Sequence, residues 1–246
     1  MKVLVLGATG ATGRLVVQQL IRRNVKVKIV VRQINDVIEK FIVNGQLECI
    51  VGNISEYEGS KMVELLGDCD AVISCLGHNI TFKGMFGKPR LLVTNCIKQA
   101  CEAIENGKNN KVKVILMNTT ANINRNIKEK YSSKDRIVLS LLRYLLPPQK
   151  DNEEAAKYLS TTIGENNSRI EWTAVRPDTL INETNESEYE IYESPKQSPV
   201  FDAGKTSRIN VAHFMTELLL NEELWEKWKS KMPVIYNTSL DKLAKK

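Results

Sequence analysis

Residues 3–6, Val-Leu-Val-Leu, make a short apolar run that stops at Gly7, and glycine recurs at Gly10 and Gly13 as a helical pattern begins near Ala11. A run of this kind suits a buried parallel strand. The intervening glycines allow a tight turn and a close approach of backbone N–H groups to a ligand. The helix start that follows leaves amides without partners at the positive end of the helix dipole, where anions are favoured. The Gly-x-x-Gly-x-x-Gly spacing is informative because it lies directly between a strand and an amphipathic helix. Gly7, Thr9, Gly10, Ala11, Thr12 and Gly13 are therefore expected to cradle a dinucleotide diphosphate.

The rest of the chain extends this unit. Strands are expected at 25–31, 47–51, 70–75, 112–117 and 169–175, separated by helices at 11–23, 34–43, 56–66, from Pro89 to about 105, 135–146 and 151–163. Strands that alternate with helices imply a doubly wound parallel sheet, an α/β Rossmann fold. Pro147-Pro148 is expected to close one helix, and Asp151 or Asn152 to cap the next. Residues 189–192 and 233–236 read as short strands, 211–221 and 223–229 as helices, and 241–246 as a solvated tail. The 246 residues are expected to form a single domain, with a core over about 1–180 and a small C-terminal lobe over about 181–240 covering the strand carboxyl ends.

Composition limits the partners. A chain of this length builds a full core without disulfides or metal. Five cysteines, two histidines and no Cys-x-x-Cys pair offer no metal constellation, so no metal is expected and the cysteines read as reduced core residues. The net charge is +6, but the lysines are scattered with no basic run interleaved with aromatics, which argues against nucleic acid. No run of 18 apolar residues exists, so no membrane partner is expected. The N-terminus goes straight into the first strand, which is read as leaving no room for a signal peptide, and a cytoplasmic location is expected.

The strand ends carry the cofactor-reading residues. At the end of the second strand an acidic residue would bind both ribose hydroxyls of NAD; the chain has Arg32, 19 residues after Gly13. A guanidinium suits a 2′-phosphate, and Arg14 offers a second cation, so NADP(H) is expected over NAD(H). Gly52, Asn53 and Ile54 follow the third strand and can flank the adenine. Leu76, Gly77 and His78 follow the fourth, Asn118, Thr119 and Thr120 the fifth, and Pro177 and Asp178 the sixth. The loop 79–90, with two glycines and two aromatics in its first nine residues, is placed to act as a lid.

Together, Gly7-x-x-Gly10-x-x-Gly13, Arg32, Gly52-Asn53, Leu76-Gly77, Thr119-Thr120 and Trp172-Thr-x-Val-Arg-Pro177 resemble the atypical short-chain dehydrogenase/reductases, in particular the NmrA-like and biliverdin/flavin reductase-like branch. The similarity covers about residues 1–180, and Ser207 to His213 resembles the family's late helix start. The resemblance implies a Rossmann fold with NADP(H) bound as above, and Thr119 or Thr120 beside the nicotinamide. Asn53 departs from the usual aspartate.

Catalytic residues are less legible. The superfamily's Tyr-x-x-x-Lys motif is missing; Tyr131 and Lys134 are three apart. Tyr131, 11 residues after Thr120, is one candidate, although Ser132 or Ser133 beside it reads as a helix N-cap. Lys157 either holds the nicotinamide ribose or is a surface lysine paired with Glu153. His78 either moves a proton or is a loop histidine bonded to backbone, and Thr120 completes the candidates; His213 reads as structural. Two functions stay open: an NADPH-dependent reductase of a small, flat or conjugated molecule, or a redox-sensing protein that holds NADP(H) and signals to a protein partner.

Overall fold

A computed structural model describes residues 1–34, 38–39, 45–78, 81, 87, 89–107 and 111–238. The expected helix at 34–43, the loop 79–90 and the tail 241–246 lie wholly or mostly outside these residues. The main sheet has eight strands: β1 (Lys2–Leu6), β2 (Lys26–Val31), β3 (Leu47–Val51), β4 (Ala71–Ser74), β5 (Val112–Met117), β6 (Ile170–Pro177), β8 (Tyr189–Tyr192) and β10 (Val234–Asn237). Their order across the sheet is β3-β2-β1-β4-β5-β6-β10-β8, and all pairs are parallel except β10–β8. β7 (Thr179–Ile181) and β9 (Lys205–Ser207) form a separate parallel pair. This is the expected Rossmann fold.

The α-helices whose bounds lie among the described residues are α1 (Gly13–Arg22), α2 (Ser60–Leu66), α3 (Leu92–Asn106), α4 (Ser133–Leu145), α5 (Pro147–Lys157), α6 (Arg208–Leu220) and α7 (Glu222–Trp228). Alternating side chains explain why the strands read as unbroken apolar runs. Val3 and Val5 pack with α1 and α6 in one core; Leu4 and Leu6 pack with α2, α3 and α5 in the other. Both faces of β1 are thus buried. Cys69, Cys75 and Cys96 lie in these cores, and burial pushes their thiols up to about 12. They are packing residues.

Residues 181–238, read as a lobe, contribute β10 and β8 to the main sheet and α6 to its α1 face. Two helix starts differ from expectation. Pro147 and Pro148 open α5 instead of closing α4, since proline fits the first helical positions where no amide partner is needed. Asp151 consequently lies inside α5 and cannot cap it. α3 begins at Leu92 rather than at Pro89.

Candidate functional site at the strand carboxyl ends

The register aligns the strand ends. Val5 pairs with Ile29 on β2, and Arg32 follows directly on the end of β2 as Gly7 follows on the end of β1. On the other side the Cys75 amide donates to the Leu6 carbonyl at 2.9 Å, and the Gly52 amide to Val31 at 2.8 Å. The Asn118 amide donates to Val175 at 2.7 Å and the Thr120 amide to Pro177 at 3.1 Å. Gly7, Arg32, Gly52, Leu76, Asn118 and Pro177 therefore share one edge of the sheet. The strand order reverses between β1 and β4, the crevice where open α/β sheets bind ligands.

The glycine turn is built without room for side chains. Gly7 has φ +76°, and a Cβ there would lie 2.7 Å from the Cys75 carbonyl oxygen. At Gly13 a Cβ would lie 2.1 Å from the Gly7 carbonyl oxygen. The Gly10 amide closes the turn on Gly7 at 2.9 Å, and the Arg14 amide follows onto Gly10 at 3.0 Å. Thr12 makes no side-chain cap to α1, and the first turn of the helix has no acidic residue. The positive helix end is left open to an anion, which fits a dinucleotide diphosphate. Thr9, Gly10, Ala11, Arg14 and Arg32 are exposed around it; Thr12 is buried.

The other strand-end residues divide by their contacts. Gly77 is exposed, and a Cβ there would meet nothing within 4 Å among the described residues. The Asn53 side chain is used locally, accepting from the Ser55 hydroxyl at 2.9 Å and donating to Glu56 at 3.0 Å, and Ile54 begins the short turn that it organises. Asn118 ties β5 to α5 by donating to the Asn152 carbonyl at 2.9 Å and accepting from the Thr119 amide at 2.9 Å. The Thr119 hydroxyl accepts from the Ala121 amide at 3.2 Å. Thr120 is buried, and its hydroxyl bonds Asp178, whose carboxyl is raised above the usual range mainly by burial.

Of the four candidate catalytic residues, the structure brings Tyr131 onto the Thr120 backbone, pairs His78 with Asp151 and leaves Lys157 largely exposed. The Tyr131 hydroxyl donates to the Thr120 carbonyl at 2.7 Å in a buried site, and burial, then Glu129, pushes the phenol up. Such a phenol holds its proton. Ser132 caps α4 in a capping box with Asp135, which fixes the chain next to Tyr131. Lys157 is 64% exposed and pairs with Glu154, while Glu153 is taken by Arg143. It lines a groove with Asn122, Asn124 and Met232 that includes none of Gly77, His78, Thr119 or Thr120.

His78 is the candidate with a built setting. Its Nε2 lies 2.8 Å from Asp151 Oδ2, and the Asp151 side chain is fully buried. The same carboxylate accepts the Val93 and Thr94 amides, each at 2.9 Å, so Asp151 caps α3 from another helix. The contact with this buried carboxylate holds the imidazole in one orientation. Sequence reasoning missed this partner because Asp151 lies 73 residues away and reads as the cap of its own helix. Asp151→Asn places an NH2 against a donor in a buried site and is expected to cost about 1–3 kcal/mol, measured by urea denaturation.

A family model described as NAD(P)H-binding matches residues 7–222. The chain belongs to this NAD(P)H-binding family. The match begins at the first glycine of the turn. An uncharacterized chloroplastic protein of Arabidopsis thaliana is 30% identical over 236 residues, covering 90% of this chain and 73% of the plant protein. Among solved structures, the oxidoreductase ylbE from Lactococcus lactis aligns with a TM-score of 0.67 at 18% identity, over 100% of this chain and 98% of its own. A wide-type short-chain dehydrogenase/reductase from Veillonella parvula in complex with NADP aligns with a TM-score of 0.67 at 14% identity, over 97% and 95% of the two chains. At these identities the structures share the fold with this NAD(P)H-binding protein. No described helix is long and apolar enough to cross a membrane.

Proposed function

We propose that this NAD(P)H-binding protein is an NADP(H)-dependent reductase of a small, flat or conjugated molecule. The observation that carries the reading is the turn at residues 7–13, closed to side chains at Gly7 and Gly13, together with Arg32 directly past the end of the neighbouring strand β2. In this reading the α1 amides bind the diphosphate. Arg32 and Arg14 bind the 2′-phosphate, whose dianion suits a two-pronged guanidinium. Gly77 leaves room for the ligand to lie against the backbone, and Thr119 and Thr120 border the nicotinamide side. NADPH, when bound, supplies a hydride to an electron-poor centre. The His78 ring is held through Nε2 by the buried Asp151 carboxylate, so that contact positions the ring, and solvent supplies the proton to the reduced substrate.

A specific observation favours a second reading, a redox sensor that holds NADP(H) without turnover: the Tyr131 phenol is buried and bonded to Thr120. Titration with NADPH and NADH, followed by a screen of quinones, flavins and aldehydes for cofactor oxidation, separates the two. Turnover of any member supports the reductase; tight NADPH binding with no turnover across the panel supports the sensor. Arg32→Asp is expected to weaken NADPH binding about 10- to 100-fold, the loss of a charge-assisted contact of about 1.5–3 kcal/mol, while leaving NADH nearly unchanged. An unaltered NADPH/NADH ratio in that variant would remove the NADP(H) assignment.

A further inference from the structure

Among the described residues, four of the ten large exposed hydrophobics lie together on one helix. Ile137 (68% exposed), Leu141 (55%), Tyr144 (86%) and Leu145 (56%) all lie on α4. Their spacings of four, three and one put them on one stripe of the helix, and only Asp135 and Leu139 of α4 are buried. Ile127, 41% exposed, precedes them in the connecting loop. Soluble surfaces carry such side chains singly, and a contiguous stripe marks a contact face.

Within residues 122–150 the exposed unpaired charge has one sign. Arg125, Lys128, Lys130, Lys134, Arg136 and Lys150 are exposed between residues 122 and 150. The acids of that stretch, Glu129 and Asp135, are both buried. Glu129 is committed to Arg176, and Asp135 to the α4 cap and Ser198. Arg143 is neutralised by Glu153 and Glu154. Lys134 lies on the stripe itself, one turn before Ile137.

We infer that α4 and the loop before it dock on an anionic lipid surface, lying in the interface with the stripe towards the acyl region and the lysines at the headgroups. A basic helix with an aliphatic and aromatic face is the form suited to such a surface. A second copy of the chain would set six cations against six, which like-charge repulsion opposes. A nucleic acid would meet the cations and leave the aliphatic stripe in water. The inference concerns a surface contact, in contrast to the sequence-based expectation of no membrane partner, which rested on the lack of a spanning segment. It does not depend on the identity of the cofactor or substrate.

Cosedimentation of the full chain with vesicles tests it. Binding to phosphatidylcholine containing about 30% phosphatidylglycerol is expected to exceed binding to phosphatidylcholine alone by about tenfold, and to fall with salt. L141E/Y144S, which removes apolar contact, and K130E/K134E, which removes charge, are each expected to lower it about tenfold. All these positions are exposed, and thermal melts matching the parent protein establish that the variants fold. Binding that is equal for both vesicle types, or unchanged in both variants, overturns the inference. So does equal binding to soluble polyglutamate with no lipid preference, which assigns the face to an acidic protein. A dimer in light scattering that L141E/Y144S dissociates assigns the face to a second copy and overturns it as well.

Discussion

Gly13→Ala is expected to abolish measurable NADPH binding and to lower the melting temperature, although alanine is the better helix former. A Cβ at this position lies 2.1 Å from the Gly7 carbonyl oxygen, 2.8 Å from its carbon and 3.1 Å from Ala8 Cα. All three are backbone atoms of the turn, so no side-chain rotation relieves the clash. Overpacking of this kind costs about 1–3 kcal/mol or more, and relief requires that α1 move away from the turn. The shift withdraws the amides from the diphosphate. Losing two charge-assisted hydrogen bonds at about 1.5 kcal/mol each weakens binding more than 100-fold. Gly10→Ala, with its nearest contact at 3.2 Å, is expected to be milder. Gly77→Ala meets nothing within 4 Å among the described residues, so its stability is expected to match that of the parent protein. Fluorescence titration with NADPH and a thermal melt on the three variants give the order; equal affinity for Gly13→Ala and the parent would remove the turn from the cofactor site.

How legible these features are in the sequence depends on the distance between partners. The turn is legible because strand, glycines and helix start are contiguous, and each residue acts on its neighbours. Strand order follows from alternation of elements, since a parallel sheet with short connections leaves few topologies. The α3 start at Leu92 is not legible, because its cap comes from Asp151, 58 residues on from Val93. Pro147-Pro148 misleads for a different reason: proline ends one helix and begins another with equal ease, and only the packing of α5 on α3 decides. Lys157 illustrates a third limit. Its place on the helix before β6 is readable, but the helix face it occupies depends on tertiary packing, which turns it to solvent beside Glu154. The stretch 122–130 is polar and rich in Asn and Lys, yet Asn122, Asn124 and Glu129 are buried.

That buried loop is the basis of the largest stability effect expected. Arg176→Met or Glu129→Leu alone should each cost about 3–5 kcal/mol, because either leaves a buried charge without its partner. Arg176 and Glu129 are both fully buried, with guanidinium to carboxylate contacts of 2.6 and 3.1 Å. The other Arg176 donors reach the carbonyls of Met232 at 2.8 Å, Asn122 at 2.9 Å and Glu193 at 3.1 Å, and Glu129 accepts the Asn124 amide at 2.6 Å. One guanidinium at the end of β6 thus fastens three separate chain segments next to Thr120. The double variant Arg176→Met/Glu129→Leu removes both charges together and should lose less than the sum of the single variants, as coupled sites do. Three backbone carbonyls and one amide still lose a partner, so it should not regain parent stability. Urea denaturation of the parent, both singles and the double gives the coupling energy. Strict additivity would show that the pair does not act as a unit, and that the arginine holds the segments through its carbonyl contacts alone.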